Sequence, residues 1–277
     1  MPVTSSASRP TPSRPWRPEA NQPVRGLALV WRHARLIAHL LYGQALVIAV
    51  LLGLIGRAGP ERLTQAWNRR LLRILGVQLR LHGQPATASG RMTVANHVSW
   101  LDIPLIAACE PTRFVAKSEI RHWPIAGWLA NAAGTFYIRR GKGGARPLLE
   151  HLIPHLQAGG AVTVFPEGTT TDGRQVLPFH ARLLSAPQAA SSWVQPVAIR
   201  YGAGHDGRAV APFIGDDALF PHILRLLREP ALQIDVTYCA PIAAAAYERD
   251  ELARRAHAAI CAALGLAAET SPAALAA

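Results

Sequence analysis

Lysine is nearly absent from this chain. Lys and Arg together number 29 in 277 residues, but only Lys117 and Lys142 are lysines, and 17 acidic residues leave a formal charge of +12. An excess carried by arginine favours anionic partners, either phospholipid head groups or nucleic acid, without choosing between them. Cysteine is also sparse. Cys109, Cys239 and Cys261 are odd in number and far apart, which excludes a disulfide framework and zinc-ligand spacing and points to a reducing compartment. Several catalytic signatures are missing too. No Gly-x-Ser-x-Gly elbow occurs, which argues against a serine hydrolase. His151 and His155 are four apart, as in zinc helices, but the Glu of the protease motif is missing and Pro154 intervenes. Gly141-Lys142-Gly143-Gly144 is not a dinucleotide fingerprint. No metal and no cofactor are expected.

What is present divides the chain into four parts. Residues 1–23 are rich in Pro, Ser and Arg and read as a disordered basic arm without the order of a cleavable signal peptide. Residues 24–76 read as membrane-associated helices. Leu36–Ile55 is apolar apart from His39, Gly43 and Gln44 and is about 20 residues long, the length of a bilayer core. Arginines flank it on both sides, so charge gives no orientation, and a helix that dips into one leaflet and returns fits as well as a span or a buried core helix. Glu61–Leu75 sets Leu63, Trp67, Leu71, Leu72 and Leu75 against Arg62, Arg69, Arg70 and Arg73, an amphipathic interfacial pattern.

Residues 77–265 alternate apolar strands with helical stretches. Strands are expected at Val77–Leu81, Met92–Ala95, Arg113–Ala116, Thr135–Ile138, Ala161–Phe165, Val194–Ile199 and Leu232–Tyr238. Helices fit near Pro104–Cys109, Ile125–Ala132, Arg146–Gln157, Arg182–Ala189 and Tyr247–Leu264. That alternation predicts an α/β domain with a mostly parallel sheet flanked by helices. With 50% hydrophobic residues the chain can bury one substantial core. Residues 266–277 read as a flexible tail.

Three segments carry chemistry. Asn96-His97-Val98-Ser99-Trp100-Leu101-Asp102 follows a short strand and precedes a helix start, with Pro104 tolerated in the first turn. Five residues on a continuous helix would turn His97 and Asp102 away from each other, so His97 must lie in a loop folded back over the helix start. Asp102 then either caps the helix or orients the imidazole, and a carboxylate has oxygens enough for both. A histidine held in this way is a general base. The strand Thr135–Ile138 ends in Arg139 and Arg140, where a guanidinium beside a flexible loop can hold a phosphate bidentately, or where the run is simply a basic surface. Phe165-Pro166-Glu167-Gly168-Thr169-Thr170-Thr171 leaves the most apolar strand at its carboxyl end, where ligands gather in open α/β sheets, or forms a plain turn.

Together these segments resemble the glycerolipid acyltransferase family, best known from lysophosphatidate acyltransferases. The first family motif matches Asn96, His97 and Asp102. Motif two is similar to Gly134 to Arg140, and motif three matches Phe165 to Thr169. A fourth, an apolar run around proline, is similar to Val194-Gln195-Pro196-Val197-Ala198. Lys117 also occupies a place where the family often has lysine. One departure stands out: where many relatives carry Phe-Lys-x-Gly, this chain has Phe179-His180-Ala181-Arg182, with Arg182 as the replacement cation.

The resemblance implies that His97 and Asp102 are catalytic and that Asn96, Lys117, Arg139, Arg140, Glu167, Gly168, Thr169 and Arg182 bind substrate. It implies transfer of a fatty acyl group from acyl-CoA or acyl carrier protein to a lysolipid hydroxyl, with 1-acyl-sn-glycerol-3-phosphate as the first acceptor and lyso-ornithine lipid or another lysolipid as the alternative. Backbone N–H groups at the helix start would stabilise the oxyanion. The expected setting is membrane phospholipid at the inner membrane, with the catalytic domain facing the cytoplasm and no nucleic acid bound. The competing reading is a non-enzymatic basic protein bound to membrane or nucleic acid, in which His97 and Glu167 are incidental.

Overall fold

The computed structural model describes residues 22–54, 60–123, 125–138 and 145–267. Residues 1–21 of the expected arm, Arg139 and Arg140, the 141–144 glycine segment and residues 268–277 of the expected tail lie outside them.

Strands form wherever β-branched and aliphatic residues alternate across a buried sheet. They are β1 (Val77–His82), β2 (Arg91–Ala95), β3 (Arg113–Lys117), β4 (Phe136–Ile138), β5 (Ala161–Val164), β6 (Trp193–Tyr201), β7 (Leu232–Tyr238) and a short β8 (Ile242–Ala243). They lie in the order β1-β7-β6-β2-β5-β3-β4, with β8 against β6. Pairing is parallel except where β6 meets β7 and β8, so the sheet is mixed and mostly parallel as expected.

Helices cover both faces. One face carries α1 (Gly26–Leu51), α2 (Pro60–Ile74), α3 (Asp102–Cys109) and α7 (Leu219–Arg228); the other carries α5 (Ala145–Gln157), α6 (Ser185–Ala189) and α8 (Arg249–Leu264). The remaining helix, α4 (Ala126–Ala132), packs against α1 and the 3-10 turn 118–122. Side chains of β2 divide between the two cores. Met92 and Val94 join the α5/α8 cluster and Ala95 joins the α2/α3 cluster, as a two-residue repeat requires.

Parallel pairing fixes which strand ends share an edge. The carboxyl ends of β2, β3, β4, β5 and β6 lie together, and because β7 runs against β6, its amino end joins them.

Three expectations need correction. The apolar helix begins at Gly26 and ends at Leu51, starting ten residues earlier than the apolar run alone suggests, because the arginines that interrupt the run at Arg32 and Arg35 are good helix formers. Helix α7 and strand β8 have no counterpart among the expected elements. The segment expected to be a helix over Arg182–Ala189 is a 3-10 turn, Ala181–Leu184, followed by the five-residue α6.

Helix α1 is fastened to the domain at its start. The Arg32 guanidinium donates to the carbonyls of Leu227 (3.1 Å), Glu229 (2.5 Å) and Pro230 (3.1 Å), groups left unpaired at the end of α7. Its middle meets α2, where the His39 ring stacks on Trp67 at 4.5 Å and its Nε2 donates to the Trp67 carbonyl. Gly43 permits that approach, since a Cβ there would lie 2.7 Å from Trp67 Nε1. Leu27, Val30, Trp31, Ile37, Leu41, Tyr42, Ile48 and Leu51 remain exposed along the helix.

Candidate active site

The loop between β2 and α3 folds as the five-residue spacing requires. His97 Nδ1 lies 2.8 Å from Asp102 Oδ2, and the same oxygen accepts the N–H groups of Val98 (2.8 Å) and Ser99 (2.9 Å). Tyr201, at the end of β6, donates its hydroxyl to Asp102 Oδ1 at 2.5 Å. The carboxylate is fully buried and accepts from four donors.

This geometry corrects two expectations. Asp102 does not cap α3, because its carboxylate turns backward into the loop and Leu101 occupies the cap position without a side-chain bond. Nor are most of the helix-start N–H groups free to form an oxyanion hole. Those of Val98 and Ser99 serve Asp102, those of Asp102 and Ile103 reach the carbonyls of Ser99 and Trp100, and Pro104 has none.

The imidazole is set between an apolar plate and its carboxylate. Phe165 stacks on it with ring centroids 4.1 Å apart and an interplanar angle of 15°. The histidine side chain keeps 19% exposure. With Nδ1 donating to Asp102, Nε2 has no hydrogen-bond partner among the described residues and is the nitrogen able to accept a proton.

Glu167 sits beneath the histidine main chain and is 4% exposed. Its Oε1 accepts the His97 N–H at 2.6 Å and its Oε2 the Leu177 N–H at 2.9 Å. Burial pushes this carboxyl up to about 7, against the lowering effect of those two main-chain donors. Thr171 N–H closes the clamp from the other side by donating to the His97 carbonyl at 2.8 Å. Glu167 therefore accepts one main-chain donor on each oxygen. Asn96 behaves alike: Nδ2 donates to the Ile199 carbonyl (3.0 Å), Oδ1 accepts the Ile199 N–H (2.8 Å), and the amide ties β2 to β6. Both residues, expected to bind substrate, are buried and hold main chain around His97.

Gly168 turns at φ +73°, where a side chain would be strained, and its Cα faces the His180 ring. Thr169 and Arg182 are exposed. Lys117 is exposed at the carboxyl end of β3, in register with Ile138, the residue before Arg139. The structure thus brings Asn96, His97, Asp102, Glu167 and Gly168 into one cluster at the carboxyl edge, with Lys117 on the same edge.

Sequence reasoning missed three contributors. Tyr201 is 99 positions from Asp102, and burial, then the Asp102 charge, pushes its hydroxyl well above the usual tyrosine range, so it stays a proton donor in the hydrogen bond. Trp100 Nε1 donates to His222 Nδ1 (3.0 Å), whose Nε2 faces the Ala211 and Pro212 carbonyls. Phe213 joins two loops, its N–H donating to the Val98 carbonyl and its carbonyl accepting the Thr170 hydroxyl. Trp100 lies inside the first motif without being marked by it, and Tyr201 follows shortly after the apolar proline run.

Among the described residues no group of three His, Cys, Asp or Glu side chains is arranged to hold a metal. The arrangement can withdraw a proton through Nε2, with Asp102 holding the ring and stabilising the imidazolium that results.

Comparison with known proteins agrees with this chemistry. The acyltransferase family model matches residues 78–200. A lyso-ornithine lipid O-acyltransferase of Pseudomonas aeruginosa is 42% identical over 250 residues, covering 88% of this chain and 96% of that protein. A 1-acyl-sn-glycerol-3-phosphate acyltransferase of Neisseria meningitidis is 35% identical over 186 residues, covering 66% of this chain and 72% of that protein. The crystal structure of the 1-acyl-sn-glycerophosphate acyltransferase PlsC of Thermotoga maritima superposes with a TM-score of 0.66 at 19% identity, over 86% of this chain and 94% of that one, and shows the shared fold. The chain belongs to the lysophosphatidate-acyltransferase-like family of acyltransferases.

Proposed function

We propose that this protein is a lyso-ornithine lipid O-acyltransferase, transferring a fatty acyl group from acyl-CoA or acyl carrier protein to the free hydroxyl of that lysolipid. The carrying observation is the 42% identity that runs through 96% of the Pseudomonas enzyme, against 35% over 72% of the Neisseria glycerol-phosphate enzyme. A cavity of about 260 Å³ next to Val98 and Tyr201 supports it. Asp172 and Arg200 both line that cavity, one charge of each sign, which suits a head group carrying an ammonium and a carboxylate better than a phosphate. The change from Phe-Lys-x-Gly to Phe179-His180-Ala181-Arg182 agrees with an acceptor other than lysophosphatidate.

In the mechanism we favour, His97 Nε2 takes the acceptor hydroxyl proton as that oxygen bonds to the thioester carbonyl carbon. The tetrahedral intermediate then expels the thiolate, breaking the C–S bond, and the thiolate takes the proton from His97. No acyl-enzyme forms. Asp102 holds the ring, while Glu167, Thr171 and Asn96 hold the main chain around it. We assign binding of the acceptor head group to Lys117, Arg139 or Arg140, Arg182, Gly168 and Thr169.

Residues 77–265 are the acyltransferase domain and 24–76 the membrane-associated part. The apolar exposed side of α1, 26 residues long with only 22% of its most apolar window buried, supports membrane attachment. We place the protein at the inner membrane with the domain on the cytoplasmic side, among phospholipids and without nucleic acid.

The second reading, lysophosphatidate as acceptor, draws on the Neisseria relatives. Incubation of purified protein with labelled acyl-CoA or acyl carrier protein and a panel of lyso-ornithine lipid, lysophosphatidate and glycerol 3-phosphate separates the two. We expect labelled ornithine lipid. Turnover of lysophosphatidate alone refutes the acceptor assignment and leaves the acyl transfer standing.

A further inference from the structure

Apolar side chains are exposed at a second place besides α1. Trp123, Ile125 and Trp128 are 43%, 46% and 58% exposed in the short stretch from the 3-10 turn after β3 into α4, a density of large apolar groups that water does not favour. Ile125 has a positive φ of 63°, unusual for a β-branched residue, and it precedes α4. Ile125 stands at the cap position before α4, and Trp128 and Leu129 follow in the helix's first turn.

That turn joins α1. Leu129 Cδ2 lies 3.2 Å from where a Cβ on Gly43 would stand, so the two helices touch at the middle of α1. Tyr42, exposed and adjacent to Gly43, has the Arg70 guanidinium 6.0 Å from its ring centre, and the Arg121 guanidinium, just before Trp123, lies 5.9 Å from the ring centre of Tyr137. Tryptophan and tyrosine edged by arginine is the composition that sits at the boundary of lipid and water, the aromatic rings at head-group depth and the guanidinium groups on phosphate.

Topology also gives this patch the right location. The 3-10 turn that delivers Trp123 follows directly from Lys117 at the carboxyl end of β3, the edge on which His97 leaves β2. Arg32 fastens the start of α1 to Leu227, Glu229 and Pro230 before β7, and β7 begins on that same edge. Both apolar elements therefore border the edge that carries the imidazole.

We propose that Trp123, Ile125 and Trp128 are a second lipid-contacting element which, together with α1, seats the carboxyl edge of the sheet on an anionic phospholipid surface. The inference rests on the membrane reading of α1 given above. One contact lets a protein pivot about its anchor; a second element packed beside α1 widens the contact and restrains the tilt. A lipid acceptor and an acyl chain, both confined to the bilayer, then reach His97 without leaving it.

The test uses the full chain and vesicles of phosphatidylglycerol and phosphatidylethanolamine, with or without bromine on the upper acyl carbons as a quencher of tryptophan fluorescence. Wild-type protein, Trp31→Phe and the double variant Trp123→Phe with Trp128→Phe are compared. We expect the double variant to lose roughly two thirds of the bromine-dependent quenching, since it removes two of the three tryptophans exposed on these elements. Ile125→Asp with Trp128→Asp should weaken vesicle partition about tenfold while the melting curve in detergent stays unchanged. Quenching that Trp31→Phe abolishes and the double variant leaves intact overturns the proposal and keeps α1 as anchor. Absence of quenching and of vesicle co-sedimentation in every variant overturns the membrane reading itself.

Discussion

Helix α3 has a buried carboxylate at each end, and the two do opposite things. Asp102, at its start, and Glu110, just past its end, are 0% and 1% exposed. Glu110 meets the Arg91 guanidinium and the Thr93 hydroxyl (2.8 Å), and the ion pair is sealed at the amino end of β2. Asp102 meets an imidazole whose other nitrogen faces outward. Burial pushes the Glu110 carboxyl up, and Arg91 opposes that shift. The difference lies in the partner. A guanidinium never gives up its proton, so the Glu110 pair can only hold structure, whereas a histidine partner makes the Asp102 pair reactive.

That contrast can be broken from either side. His97→Ala should lower acyl transfer by at least about a thousandfold, the scale expected when a general base is lost, and leave the thermal unfolding curve unchanged. A variant that keeps its turnover refutes the assignment. Glu110→Gln should do the reverse by leaving the Arg91 charge buried without its counter-ion. We predict a loss of about 3–5 kcal/mol in stability, read by denaturant unfolding, with turnover per folded molecule kept. Lost turnover in molecules that remain folded would show the two ends of α3 to be coupled.

Finer changes sharpen the comparison. Tyr201→Phe deletes one of four donors to Asp102, and a bond to a buried charge is worth about 1.5–3 kcal/mol, so kcat should fall roughly tenfold. KM should hold, because the hydroxyl is spent on Asp102. A change in KM alone would place Tyr201 at the substrate. Glu167→Gln tests another buried carboxylate through pH. Its carboxyl is raised in the folded chain from 4.5 to about 7, so folding takes up a proton between those values. The resulting stability is fully present below about 4.5 and is lost as pH rises through about 7. The melting temperature of the native protein, relative to Glu167→Gln, should therefore fall by a few degrees between pH 5 and pH 8. A difference that stays flat with pH would mean that Glu167 is ionised throughout.

How far these sites can be read in advance differs residue by residue. The pairing of His97 with Asp102 follows from a helix geometry that forbids it within one helix. The use of Asp102 does not follow, since aspartate before a helix ordinarily caps it, and only the position of Tyr201 and the turn of the loop show the carboxylate pointing backward. Glu167 is legible as important but not in its role. A carboxylate at a strand's carboxyl end can face a ligand or the main chain, and the N–H groups of His97 and Leu177, 70 and 10 positions away, decide for the main chain. Helix α7 is readable although absent from the expected elements: Leu219, Ile223, Leu226 and Leu227 repeat at helical spacing, with Pro221 in the first turn.

By itself the sequence determined the strand and helix periods, the order of the four motifs, the apolar length near the amino terminus and the positive charge, because each depends on neighbours within a few residues. Only the tertiary structure decided that Tyr201 completes the carboxylate, that Glu167 and Thr171 clamp the His97 main chain, that Trp100 leans on His222, and that α1 and α4 meet on the edge holding the imidazole. Those contacts join residues brought together by strand order, and strand order is set by how the whole core packs rather than by any local pattern of residues.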